Sequence, residues 1–367
     1  MISLAPNISH NEIHFNAPIS QIKINDTIGK HNKDKLEESS FPSKMYTSVR
    51  ISLYEIIYGH YIPVDVGGKI ITDAAGMVVH NQINNKYDSF IDKTKNSNLI
   101  NDDCKIIFIN GVLIDLTSAG CSLFSFWLLD ALPKLMLVES YKKQFQSKLS
   151  ILVNQKSRFV IETLDIFGFS NANLIVRNGV DAIFKAELLL CPRPIREQRY
   201  TPLWALEYIR NKYNIEESIN PLKRIYISRN RSKGRRVINE DEFVSYLSKS
   251  GFDILYAEEY SSKQFSKLIE GAGIIISPHG AGLANIIFAS KGANVIELFG
   301  AHYTDQYQLL ALELEQKYVK IACASEDGMY FHEYNRSAHA VADLNRKSFS
   351  VDINEIATIV ESINSSY

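Results

Sequence analysis

An α/β fold with a parallel, doubly wound sheet is what this sequence predicts, and three observations carry the prediction. In the second half, five short apolar runs at 224–228, 252–256, 273–277, 294–298 and 318–323 alternate with helical patterns at 240–250, 261–270, 282–288 and 304–316. Alternation at this spacing is the mark of parallel strands covered by helices. Residues 105–190 repeat the texture less regularly. The chain of 367 residues is 46% hydrophobic and 22% charged, with a formal net charge of −1, a composition able to bury a core and a length suited to two domains.

Residues 1–104 are rich in Asn, Ser, Lys and Tyr, with short apolar alternations at 51–53 and 54–56. They predict irregular β structure, with a polar surface segment at 30–40. Residues 105–195 form the first α/β domain. There the apolar runs 106–109 and 112–116 flank Asn110-Gly111, a two-residue hairpin signal. A helix at 126–141, a strand at 150–153, a helix at 157–167 ending at Gly168, and strands at 173–176 and 182–190 follow. The run Cys191-Pro192-Arg193-Pro194 stops that layer, and 196–220, with an amphipathic stretch at 202–213, reads as a linker. Residues 221–335 form the Rossmann-type domain, and 336–367 a C-terminal tail and helix.

The near-balanced charge gives no global attraction for nucleic acid or acidic membrane. The four cysteines, Cys104, Cys121, Cys191 and Cys323, lie far apart, with no zinc-ligand spacing and no disulfide framework, which points to a reducing, cytoplasmic setting. Residues 1–14 lack a basic segment followed by an apolar run, so no signal peptide is expected. The most apolar window, 119–138, holds Asp130, Pro133 and Lys134, each costly in hydrocarbon. No D-x-D carboxylate pair occurs anywhere in the chain, so no metal site is expected and a bound diphosphate must be met by cations and helix ends.

Ligands of such sheets sit at the carboxyl ends of the strands. After the first strand of the second half, five cations fall within residues 229–236: Arg229, Arg231, Lys233, Arg235 and Arg236. Guanidinium forks suit phosphate oxygens. The third strand ends in Ser277-Pro278-His279-Gly280-Ala281-Gly282-Leu283-Ala284-Asn285 and opens directly into a helix. Small residues at 280–282 let backbone N–H groups approach an anion. Asn285 stands where a dinucleotide fingerprint has its third glycine, which weakens a nicotinamide or flavin site. His279 can donate to a phosphate or leaving oxygen. Glu297, at the next strand end and 17 residues after Gly280, is placed to accept from ribose hydroxyls. The acids Glu240, Asp241 and Glu242 open a helix and read as structural.

In order, Ile225-Tyr226-Ile227-Ser228-Arg229, Arg235-Arg236-Val237-Ile238-Asn239-Glu240, Gln264, His279-Gly280-Ala281-Gly282-Leu283-Ala284-Asn285 and Val295-Ile296-Glu297-Leu298 resemble the signature of the glycosyltransferase family 61 domain. The resemblance covers residues 105–325, and members related to bacterial capsular polysaccharide biosynthesis are similar in texture. In the first half, Trp127 and Asp130 of Phe126-Trp127-Leu128-Leu129-Asp130-Ala131-Leu132-Pro133 match, but Phe126 stands where the family has histidine, so that histidine's role is not carried over. The resemblance implies a GT-B-like architecture of two facing Rossmann-type domains. It also implies an inverting, metal-independent transfer from a nucleoside-diphosphate sugar, with no further cofactor, to a hydroxyl of a surface or capsular glycan.

On that reading, Arg229, Arg235, Arg236, Asn239, Gly280, Ala281, Gly282 and Asn285 hold the donor, Glu297 holds the ribose, and Trp127 lines the substrate site. His279 serves the leaving group and Asp130 is the candidate base. The partners are a nucleotide sugar and a glycan acceptor, with no nucleic acid and with peripheral membrane association through acceptor or partners left open. Two rivals also stay open: a non-catalytic glycan- or nucleotide-binding protein of the same fold, and a nucleotide-dependent oxidoreductase or epimerase.

Overall fold

A computed structural model describes residues 12–14, 48–52, 54–57, 63–65, 105–117, 120–139, 148–176, 182–192, 196, 199–218, 221, 223–334 and 341–365. The expected surface segment at 30–40 and Arg193-Pro194 lie outside them. The chain divides into two units, Met1–Glu197 and Gln198–Tyr367.

The first unit is built on an eight-stranded sheet. Its centre is β5 (Lys105–Asp115), β6 (Leu149–Val153), β7 (Asn173–Val176) and β8 (Ala182–Pro192), all parallel, in the order β8-β5-β6-β7. That is a Rossmann-type half, in which successive strands step outward and the chain then returns to the other side of the first. On the far edge, β2 (Ser48–Ser52) and β3 (Tyr54–Ile57) pair antiparallel with β8. β1 (Glu12–His14) pairs with β2 and β4 (Pro63–Asp65) with β3. Val112, Leu113, Ile114, Ile151, Leu152 and Val153 bury both faces of the sheet centre, as strands covered by helices must.

The hairpin expected at Asn110-Gly111 does not form. Residues 105–115 are one strand, because both neighbours, β6 and β8, run parallel to it and the chain has no edge on which to double back. The turn signal is instead expressed as a bulge between Ile109 and Val112 against β8. Gly111 takes φ +86°, and a Cβ there would lie 2.4 Å from Lys148 Cβ and 2.5 Å from the Lys148 carbonyl.

The helix expected at 126–141 starts earlier and is interrupted. α1 (Phe124–Phe126) passes into a wider turn at Trp127–Ala131, and α2 (Lys134–Val138) follows. Leu132 N–H donates to the Trp127 carbonyl at 3.0 Å, an i→i+5 bond. Pro133 has no N–H with which to continue the ladder. α3 (Arg158–Ile166) ends near Gly168, which has φ +77°, as the sequence indicated.

The second unit is a five-stranded, all-parallel sheet of β9 (Lys223–Ile227), β10 (Asp253–Leu255), β11 (Ala272–Pro278), β12 (Asn294–Phe299) and β13 (Lys317–Ala322). The order β10-β9-β11-β12-β13 reverses direction between β9 and β11, so the switch point of this sheet lies at their carboxyl ends. Tyr226, Ile274, Ile276, Ile296 and Leu298 pack against Phe243 and Leu247 of α5 (Glu240–Lys249) and Ile356 and Val360 of α9 (Ile353–Asn364).

α4 (Leu203–Lys212), expected as a connection, packs on the 3-10 helix Ala281–Phe288: Arg210 donates to the Ile287 and Ala289 carbonyls, and the Tyr213 and Phe288 rings lie 4.6 Å apart. Gln264 is a helix cap. In α6 (Ser262–Ile269) the Ser261 hydroxyl accepts from Gln264 N–H while the Gln264 side chain accepts from Ser261 N–H, a reciprocal capping box. The remaining elements are α7 (Gln306–Glu313), β14 (Ala324–Ser325), α8 (Val341–Leu344) and β15 (Phe349–Ser350).

Gly111→Ala is expected to lower the thermal unfolding midpoint of the first unit by several degrees, on the order of 2 kcal/mol or more, because it combines left-handed strain with backbone collision. Gly292→Ala supplies the control, since Gly292 has φ +74° but nothing within 4 Å of its added Cβ. Its loss should stay near about 1 kcal/mol, and equal losses at both sites would refute the collision.

Candidate functional site

β9 leads into the cationic loop, and buried hydrogen bonds fix its exit. Tyr226 and Ser228 hydroxyls donate to Glu240 Oε1 at 2.7 and 2.8 Å, and Asn230 N–H donates to Ser228 Oγ at 3.1 Å. Arg229 is thereby aimed across the switch point onto the turn after β11. A Cβ on Gly280 would lie 1.8 Å from Arg229 Nη1. Gly280 itself has extended backbone (φ 170°), so what glycine provides here is room for the guanidinium.

Arg235 joins Arg229. Burial lowers the pKa of both, and Arg235 is held down to about 10, first by burial and then by the charge of Arg229. Both Nε atoms are buried without a hydrogen-bond partner, and among the described residues neither guanidinium is paired with a carboxylate. Two like charges brought together out of water repel, and an anion between them removes the repulsion while filling the open donors.

His279 extends the same wall. Its backbone N–H is anchored to the Leu298 carbonyl at 2.9 Å, and its ring stacks on Phe299 at 5.1 Å and 20°. His279 Nδ1 meets Glu297 Oε1 at 2.5 Å, and Tyr318 O–H donates to Glu297 Oε2 at 2.5 Å. Burial pushes the Glu297 carboxyl well above the ordinary carboxylate range, against the pull of Tyr318 and Arg235. Burial, then Arg235, Arg229 and Arg199, push the imidazole well below its usual value. The arrangement that answers both shifts is an uncharged pair with one proton shared between Nδ1 and Oε1. Nε2 then carries a hydrogen and is a donor.

Glu297 is 0% exposed. It lies beneath His279 and not at the surface, so the expectation that it holds ribose hydroxyls is replaced: both its oxygens serve neighbours within the protein.

The other expected donor residues divide. Gly282, Ala281 and Asn285 form the turn that opens the 3-10 helix, with Asn285 Nδ2 donating to the Gly282 carbonyl at 2.7 Å. Arg236 is exposed and braces its own loop through Nε to the Ser232 carbonyl at 2.7 Å. Asn239 does not face the site, because its amide donates to the Val351 carbonyl and accepts from Val351 N–H, each at 2.9 Å.

The first unit carries a separate cluster. Asp130 lies on the wide turn of Trp127–Ala131, 3.5 Å from Arg196 Nη1, and Arg196 lies over the Phe126 ring at 5.4 Å. Burial raises the Asp130 pKa, while Arg196 and Lys134 oppose the shift. Trp127 is 0% exposed and donates to Thr163 Oγ1 at 2.7 Å, so it is a core residue and not a substrate-lining one.

Sequence reasoning passed over Tyr318 and the buried role of Glu240. Register held the signal for the first: Tyr318 pairs with Val295 in the β12–β13 ladder, two residues before Glu297. For Glu240, the hydroxyls of Tyr226 and Ser228, two residues apart, flank the helix start that could receive them.

The Glycosyltransferase 61 family model matches residues 124–296, a span that holds Asp130, Arg229, Arg235, His279 and the turn at 280–282. The chain is 24% identical over 221 residues to the beta-1,2-xylosyltransferase XAX1 of Oryza sativa subsp. japonica, covering 55% of this chain and 38% of that protein. It is 31% identical over 123 residues to the protein O-linked-mannose beta-1,4-N-acetylglucosaminyltransferase 2 of Xenopus tropicalis, covering 31% of this chain and 21% of that protein. It is 28% identical over 138 residues to the Homo sapiens protein of that name. The chain thus spans well under half the length of these relatives. With the family match enclosing the switch-point wall and the Asp130 turn together, the chain carries a glycosyltransferase 61 domain over residues 124–296.

Proposed function

We propose that the protein transfers a sugar from a nucleoside-diphosphate sugar to a hydroxyl of a glycan acceptor, with inversion and without a metal ion. The observation that carries this reading is the pair Arg229 and Arg235 at the β9/β11 switch point, half-buried with both Nε atoms buried and unpartnered, mutually repelling and, among the described residues, not paired with a carboxylate, with Gly280 cleared beneath one of them. A diphosphate matches that wall in charge and in its number of acceptor oxygens. The 3-10 helix opening at Ala281 adds its N-terminal N–H groups. The family and the transferases similar to this chain support sugar transfer as the chemistry.

In the proposed step the acceptor oxygen attacks the anomeric carbon as the bond from that carbon to the diphosphate oxygen breaks. The acceptor proton passes to a carboxylate, for which Asp130 is the candidate. The electron pair leaves on the diphosphate, whose charge Arg229 and Arg235 receive. His279 Nε2–H donates to a phosphate oxygen, oriented by Glu297 and Tyr318. A non-catalytic binding role draws on one observation, Phe126 with Arg196 packed on its ring beside Asp130.

Arg229→Ala is expected to weaken UDP, GDP or TDP binding by about 10- to 100-fold, the worth of a charge-assisted contact, with Gly280→Ala acting in the same direction by displacing the guanidinium. Isothermal titration checks both, and unchanged affinity in Arg229→Ala would remove the donor assignment.

Because Glu297 shares its proton with His279, Glu297→Gln should keep most of the turnover, while Glu297→Ala loses at least about tenfold in kcat. A collapse of the Gln variant would mean that the ionised carboxylate is required.

Asp130→Asn should abolish transfer with nucleotide affinity intact. In the unaltered protein, turnover should rise with pH through a value above the ordinary aspartate range, since the base must be ionised and burial raises its pKa. A fully active Asn variant would take Asp130 out of the base role.

A further inference from the structure

Arg235 has φ +57°. Arg199, Asn214 and Glu315 share that left-handed conformation, the last two just after helices α4 and α7, where chain reversal explains it. Arg235 sits in mid-loop, where the conformation sets its Cβ against its own carbonyl and costs about 1 kcal/mol or more. Such strain persists only where the surroundings hold it.

What surrounds it is the C-terminal segment 345–352. Gly234 lies so close to that segment that a Cβ would be 2.6 Å from the Asn345 carbonyl. Phe349 N–H donates to the Arg236 carbonyl at 3.0 Å, and Ile238 N–H donates to the Phe349 carbonyl at 2.8 Å, closing a parallel bridge between Val237 and Phe349. Asn239 adds its two bonds to Val351. The segment is itself seated: Phe349 is 0% exposed, Gly300 leaves only 2.7 Å between an added Cβ and the Phe349 ring, and β15 pairs with β14. Arg235 is thus flanked by backbone that bonds to this strand from residues 236 to 239 and packs on it at 234.

We propose that this segment is a strut that holds Arg235 in its strained conformation beside Arg229, and that Asn239 and Phe349 are positioning residues for the anion site although neither faces it. The proposal rests on the donor-site reading above for its ligand but not for its mechanics. It gives Asn239 a role that its position in the family-like motif did not explain. The order of the arginine loop is set by chain more than 100 residues away.

The test uses the full chain with inorganic pyrophosphate and UDP as probes. Asn239→Ala should bind both about tenfold more weakly, the worth of two hydrogen bonds that order one side chain. In the Arg235→Ala background the same change should have no further effect on binding, which a general loss of stability would not produce. Hydrogen exchange of the peptide 229–238 should accelerate in Asn239→Ala without ligand.

Asn239→Asp keeps the acceptor for Val351 N–H but sets a second oxygen against the Val351 carbonyl, so it should show the same coupling to Arg235; it serves if the Ala variant does not fold. Unchanged affinity and unchanged exchange in these variants, or an equal loss in both backgrounds, overturns the strut. If neither probe binds the unaltered protein, the donor-site reading fails, and the exchange of 229–238 still decides the strut by itself.

Discussion

Two guanidinium groups held side by side, half out of water and without a carboxylate between them, are the constraint around which the second unit is arranged. Each alone would be an ordinary surface cation. Together they are unfavourable, and the fold maintains them at the one point where strand order reverses. The Glu240 contacts direct Arg229 toward Gly280, Gly280 gives up its side chain to admit it, and the loop that bears Arg235 is tied to the C-terminal strand. Among the described residues no carboxylate is paired with either guanidinium: Glu258 and Glu297 act on them only through charge, and Glu297 is used by His279 and Tyr318. A site that withholds its own counter-ion is complementary to an anion brought from outside.

Much of this arrangement was legible in the sequence, and the legible part has a common physics. Each of the five strands β9–β13 lies within a residue or so of its apolar run, because the strands of a helix-covered parallel sheet read as short apolar runs. The wall residues Arg229, His279 and Gly280 were legible for the same reason, since they follow strands whose ends could be counted.

What the sequence could not disclose is direction normal to the sheet and the identity of distant neighbours. Glu297 at a strand end can point up to a ligand or down under a histidine, and only the β12–β13 register with Tyr318 decides. Asn239 reads in the sequence as a donor-binding residue, and only the return of the chain at Val351 shows that its amide is used there. Asn110-Gly111 carried a correct local signal for a positive φ and a wrong inference of reversal, because the parallel partners that forbid reversal lie at 149–152 and 182–190. Trp127 was misplaced because a tryptophan in a motif is equally at home in a core, and Thr163 supplies the acceptor its N–H needs there.

The proton count at His279 bears on where the acceptor proton can go. A base must begin the reaction with a lone pair available and a tolerable charge afterwards. His279 meets neither requirement: its Nδ1 is engaged with Glu297, its Nε2 carries a hydrogen in the uncharged pair, and a further proton would place a third cation beside Arg229 and Arg235. Tyr318 is bonded to a carboxyl and has its ionisation pushed far upward by burial, so it cannot serve either. On the proposed reading this wall offers charge to a leaving group, and neither His279 nor Tyr318 is suited to take a proton. Asp130 in the first unit has the complementary character: burial raises its affinity for a proton, while Arg196 and Lys134 limit the rise and keep the ionised form accessible. On the proposed reading, the environment in the second unit that would stabilise a departing diphosphate is one that would disable a base, while the surroundings of Asp130 leave a carboxylate able to take a proton.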